Sequence, residues 1–130
     1  MKILIVDDCR STRKLLGLYL TSNGYEVLFA ENGIEALEKL AMEDVNLVVT
    51  DLNMPYMDGI ELLNTLKSDP AHLHIPVLVV TTEKEPEERE RALAAGASGF
   101  LVKPVSADAV TKNILQILRG MFKKGGNAYA

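Results

Sequence analysis

Five short apolar runs, each cut off by polar or turn-forming residues and each followed by a segment with helical spacing, constrain this chain more than any other feature. They are Ile3–Val6, Glu26–Ala30, Leu47–Thr50, Val77–Val80 and Gly99–Val102. Runs this short, rich in β-branched residues and ended by turn residues, read as buried strands. Between them, apolar residues recur with the period of a helix. Thr12, Leu15, Leu16, Tyr19 and Leu20 fall on one predicted face, closed by Asn23-Gly24. Asn32 with Glu35 resembles a capping box before a stripe of Ile34, Leu37 and Ala41. Asp58 with Glu61 repeats the cap before Leu62, Leu63 and Leu66, and Pro86 suits the first turn of a Glu- and Arg-rich helix ending at Ala95-Gly96. Ser106 caps a last helix, with Val110, Ile114, Ile117, Leu118 and Met121 expected inward. Strict βα alternation predicts an α/β fold, a five-stranded parallel sheet with helices on both faces. Right-handed crossovers restrict the topology. Strand order stays open, 2-1-3-4-5 being the common choice for five units.

The chain has 130 residues, which suits one domain, and 48% hydrophobic content supplies a core. A net charge of −4 argues against nucleic acid, whose phosphates call for clustered Lys and Arg. No apolar run approaches the roughly 20 residues of a membrane span. The opening run meets Asp7-Asp8 too soon for a signal peptide. A lone Cys9 excludes an intrachain disulfide, suits a reducing cytoplasm, and is expected as a small buried thiol. His72 and His74 lack Cys partners and are not expected to bind metal. Glu83 to Arg91 reads as a solvated face with pairs Glu85–Arg89 and Glu87–Arg91. Residues 1–122 form the expected domain, and 123–130 a flexible tail.

The chemistry lies where the strands stop. Asp7 and Asp8 follow the first strand, Asp51 the third, Thr81 the fourth and Lys103 the fifth. In a doubly wound sheet these ends share one edge, where such folds bind ligands. Carboxylates crowded together repel and raise one another's pKa, so a cation is expected to offset them. Oxygen ligands without His or Cys suggest Mg²⁺ retaining several waters. Mg²⁺, Lys103 and Thr81 around Asp51 would form a pocket complementary to a tetrahedral dianion, as phosphoryl transfer to an Asp nucleophile needs.

Asp7-Asp8, Asp51-x-x-Met54-Pro55-x-x-Asp58-Gly59, Thr81 and Lys103-Pro104 together resemble the receiver domain of two-component response regulators, most closely the stand-alone CheY-type members, from about Lys2 to Phe122. The resemblance implies a flavodoxin/CheY-like fold, including the 2-1-3-4-5 order. It implies that Asp51 is the phosphoacceptor and that Asp8, Asp51 and the Asn53 backbone carbonyl hold Mg²⁺, with Asp7 helping through water. Lys103 would contact the phosphoryl group, Thr81 would swing its hydroxyl onto it, and Phe100 matches the switch aromatic. Asn53 and Glu83 match positions that tune autodephosphorylation, and the Lys103-Pro104 peptide is expected cis.

The implied function is a phosphorylation switch, not an enzyme acting on other substrates. A histidine kinase donates, a phosphatase is a further partner, and a target protein reads the face of the fourth helix, fifth strand and fifth helix, in chemotaxis, in another phosphorelay, or as a receiver detached from an output-domain regulator. The rival readings are a receiver that works without phosphorylation and a Mg²⁺-dependent phosphatase with an Asp nucleophile. The second is disfavoured because Asn53 stands where such enzymes carry an acid/base Asp.

Overall fold

The computed structural model describes residues 1–129, with side-chain surroundings through Met121. Its elements are β1 (Lys2–Val6), α1 (Arg10–Thr21), β2 (Glu26–Ala30), α2 (Gly33–Met42), β3 (Leu47–Thr50), α3 (Gly59–Lys67), β4 (Val77–Thr81), α4 (Pro86–Ala94), β5 (Gly99–Val102) and α5 (Ala107–Tyr129). All strand pairs are parallel, in the order β2-β1-β3-β4-β5. The expected tail over 123–130 lies outside the residues whose side chains are described. Among the described residues no helix is long and apolar enough to cross a membrane.

Strand pleating sorts the core into two layers. Leu4, Val6, Val48, Val77 and Val79 face Ala36, Leu40, Leu62, Leu63, Leu66 and Ala92, so α2, α3 and α4 cover one side. Ile3, Ile5, Leu47, Val49, Leu78 and Val80 face Leu16, Leu20, Val110 and Ile114, so α1 and α5 cover the other. Covered on both faces, β1, β3 and β4 can be apolar at nearly every position. Strand β5, at one edge, is only partly buried.

The helix starts follow their caps. Asp58 accepts from the Glu61 N–H while Glu61 reaches back to the Asp58 N–H, a complete capping box. Asn32 accepts from the Glu35 N–H without the reciprocal bond. The Ser106 hydroxyl accepts from the Ala109 N–H, and Pro86 sits in the first turn of α4.

Several side-chain expectations are corrected. On α1 the buried residues are Leu16, Gly17 and Leu20, while Leu15 is exposed. An added Cβ on Gly17 would lie 2.8 Å from Cζ of Phe29, so the sheet approaches the helix at its glycine and turns Leu15 outward. On α2 the stripe is Gly33, Ala36 and Leu40, with Ile34 and Ala41 outside. Met121 is exposed, beyond the stretch of α5 that packs on the sheet. Neither expected pair on α4 is present. Arg91 bonds Glu88 at 2.9 Å, one residue nearer than Glu87. Glu85 is the N-cap, its carbonyl accepting from the Glu88 and Arg89 N–H groups. Cys9 is exposed rather than buried, because as N-cap of α1 it lies where the chain has already left the sheet.

Candidate functional site

The register brings the strand ends together. Val6 stands beside Thr50, so Asp7 and Asp51 are the next residues along adjacent strands. Thr81 stands beside Val102, and the Lys103 N–H donates to the Thr81 carbonyl at 2.7 Å. From there the Lys103 ammonium spans the sheet edge, donating to Asp7 Oδ2 at 2.8 Å and to Asp51 Oδ2 at 3.0 Å. Carboxylate oxygens of Asp7, Asp8 and Asp51 lie within 4.8 Å of one another. Asp7 and Asp51 are buried, and Asp8 is exposed.

Each buried group is anchored. Asp51 Oδ1 accepts from the Leu52 N–H at 2.6 Å and from the Asn53 N–H at 3.4 Å, and its own N–H donates to the Val6 carbonyl. The Thr50 hydroxyl donates to the Asp51 carbonyl. Asp7 Oδ1 accepts from the Cys9 N–H at 2.8 Å. Thr81 is fully buried, and its hydroxyl accepts from the Glu83 N–H at 3.3 Å. Asn53 Nδ2 donates to Glu83 Oε1 at 2.7 Å, so the β3–α3 and β4–α4 loops touch above the acids. Phe100 is half-buried against the α4 side of the core. The Lys103-Pro104 peptide is cis.

The electrostatics are those of a crowded acid cluster. Burial pushes the Asp7 carboxyl above the usual range. The bonds from Lys103 and Cys9 only partly offset it, and neighbouring Asp51 adds to it. For Lys103, burial pulls the other way, but the hydrogen bonds and charges of Asp7 and Asp51 outweigh it, and its pKa is raised. The lysine is held charged by two carboxylates, while one ammonium leaves three carboxylates incompletely neutralised. The donor set suits a hard divalent cation. It offers carboxylate oxygens alone, and among the described residues Asp8 makes no ion pair.

Sequence reasoning puts Asp7, Asp8, Asp51, Thr81 and Lys103 at one edge, and the structure brings Asp7, Asp8, Asp51 and Lys103 into one cluster. Thr81 adjoins it through Lys103, and Asn53 and Glu83 close over it. Phe100 contributes to the core. Two supports were missed. Gly59 packs so close that an added Cβ would overlap the Asp51 carbonyl oxygen and stand 2.8 Å from Leu52 Cα. The signal was the glycine ending the Asp51–Gly59 motif. Arg13 donates to the Asp7 carbonyl at 2.7 Å; an arginine in a helix gives no sequence signal of such a contact.

A five-stranded parallel sheet with three carboxylates and a bridging lysine at its C-terminal edge defines a class of signalling domain. The family model described as "Response regulator receiver domain" matches residues 3–115, and the chain belongs to that family. Among curated relatives, the chemotaxis protein CheY1 of Helicobacter pylori is 41% identical over 122 residues, covering 92% of this chain and 98% of that protein. The chemotaxis protein CheY-3 of Vibrio cholerae is 39% identical over 118 residues, covering 90% and 91%. Among solved structures, the chemotaxis response regulator CheY4 of Vibrio cholerae has a TM-score of 0.84 at 35% identity, covering 89% and 97%. A CheY-like receiver domain protein from Methanospirillum hungatei has a TM-score of 0.87 at 31% identity, covering 95% and 97%. The chain is thus a two-component signalling domain and not a classical enzyme.

Proposed function

We propose that this chain is a cytoplasmic switch that takes a phosphoryl group from a histidine kinase onto Asp51 and thereby changes its affinity for a protein target. The observation that carries this reading is the Lys103 ammonium bonded to both Asp51 and Asp7 beside a third carboxylate. Asp7, Asp8, Asp51 and the Asn53 carbonyl are the groups that would hold Mg²⁺, which supplies positive charge to the transferring phosphoryl oxygens. An Asp51 carboxylate oxygen forms a bond to phosphorus as the phosphorus–nitrogen bond of the donor phosphohistidine breaks. The bonding electron pair leaves with the imidazole. Lys103 offsets the charge on the phosphoryl group, and the Thr81 hydroxyl, released from the Glu83 N–H, donates to it. Asn53 and Glu83, bonded across the mouth, control how water reaches the aspartyl phosphate. The chain then catalyses only its own phosphorylation and dephosphorylation.

Movement of Thr81 reaches β5 and Phe100, and so the face of α4, β5 and α5 where the target binds. Both named relatives are chemotaxis proteins, which favours a chemotaxis target over another phosphorelay. A phosphatase that speeds loss of the phosphoryl group is a further partner. The test is mass spectrometry after incubation with Mg²⁺ and acetyl phosphate. One phosphoryl group is gained by the native chain and none by Asp51→Asn. A gain that persists in Asp51→Asn overturns the reading.

A further inference from the structure

We infer that Arg13 is a positioning residue for the cation site, acting on Asp8 through the Asp7–Asp8 peptide. Asp7 is held at four atoms. Its N–H donates to the Ala30 carbonyl at 3.0 Å, Oδ1 accepts from Cys9, Oδ2 accepts from Lys103, and its carbonyl accepts from Arg13 Nη1 at 2.7 Å. Asp8 has no such anchorage. It is exposed and, among the described residues, its carboxylate makes neither a hydrogen bond nor an ion pair. Repulsion from Asp7 and Asp51 favours swinging that carboxylate into solvent. Its place within 4.8 Å of the other two therefore depends on where the backbone launches the side chain. The peptide plane that sets this launch is the one whose carbonyl Arg13 grips.

Arg13 is itself fixed. Its Nη2 lies 3.3 Å from Glu31 Oε1, and its side chain is 14% exposed against 62% for Glu31. The guanidinium thus ties the β1–α1 turn to the end of β2. Glu31 also offsets the arginine's charge, which taken alone would oppose a bound cation. No contact of Arg13 with the acceptor oxygens is needed. Its action is that of an outer partner that orients a ligand.

This inference rests on the acid cluster being a divalent-cation site, and the experiment separates the two claims. Mg²⁺ binding is measured by calorimetry on the full chain, with Mn²⁺ as a second probe. The variants are Arg13→Lys, Arg13→Gln and the charge-balanced pair Arg13→Met with Glu31→Gln. Exchange of the Cys9 amide is followed without metal. The native chain binds Mg²⁺, and Arg13→Gln and the double variant bind about 10-fold more weakly. Arg13→Lys, a single prong that keeps the charge, falls between. The Cys9 amide, bonded to Asp7 Oδ1 in the native chain, exchanges faster while core amides do not, and saturating Mg²⁺ restores the rate of phosphorylation by acetyl phosphate. Native-like or tighter binding in the double variant overturns the role of Arg13 and leaves the cation site standing. Absence of binding in the native chain overturns the cation site itself. If Arg13→Gln does not fold, the lysine variant decides, native affinity in it counting against the inference.

Discussion

Asp7 is a carboxyl whose ionised form burial in the fold opposes. Its carboxyl is raised above 3.8, chiefly by burial, and this balance already includes the Lys103 bond. The folded state therefore holds the Asp7 proton more tightly than the unfolded chain does. The resulting stabilisation is complete below about pH 3.8 and is lost as pH rises through the raised folded value, so ionising Asp7 costs stability. Asp7→Asn is expected to unfold at higher urea than the native chain at pH 7 without metal, and to flatten the fall in stability above the ordinary Asp range. For Lys103 the raised pKa has a different window. Its contribution is present below about pH 10.5 and lost as pH climbs through its higher folded value. Gly59→Ala forces a methyl against the Asp51 carbonyl and is expected to cost about 1–3 kcal/mol in urea unfolding. The charged residues of the site were legible because strand ends in a parallel sheet converge whatever lies between them in sequence. Gly59 shows in the sequence only as the glycine that closes the Asp51–Gly59 motif, whereas the contact of Arg13 comes from an approach between elements that no local pattern encodes. Cys9 reads from the sequence as interior because a small thiol follows a buried strand, whereas directly after the acids the chain is already on the helix rim.

The elements themselves were readable from periodicity, and their caps from side-chain chemistry. The rotation of two helices was not. Alpha-helix α1 carries apolar residues at Leu15, Leu16, Leu18 and Leu20, more than one face can bury, and counting them gives too little weight to glycine. The closest approach is centred on Gly17, where only the missing side chain admits Phe29. Leu16→Ala should therefore cost about 2–5 kcal/mol. Leu15→Ala should stay within about 0.5 kcal/mol. Equal losses from chemical denaturation would mean that the helix is rotated from the orientation described. In α3, Asp58→Ala removes one arm of the capping box beside the acceptor loop and is expected to lower stability by about 1 kcal/mol.

Across the whole molecule, the cation and the fold are linked. A ligand that binds only the folded state adds stability that grows with the logarithm of its concentration, about 2.7 kcal/mol at a hundred times its Kd. Thermal unfolding of the native chain is expected to shift upward with Mg²⁺ and back with EDTA, and Asp8→Ala is expected to abolish the shift. The core strands have little part in any rearrangement, since β1, β3 and β4 are enclosed on both sides. Of the two edge strands, β5 is only partly buried, and its next residue is the lysine that grasps two acids from the middle of the sheet. A tug at the centre of the molecule is therefore delivered to its rim, where a strand can shift by a fraction of its width without opening a hole in the interior. The protein can announce an event at its innermost charges while keeping its middle still.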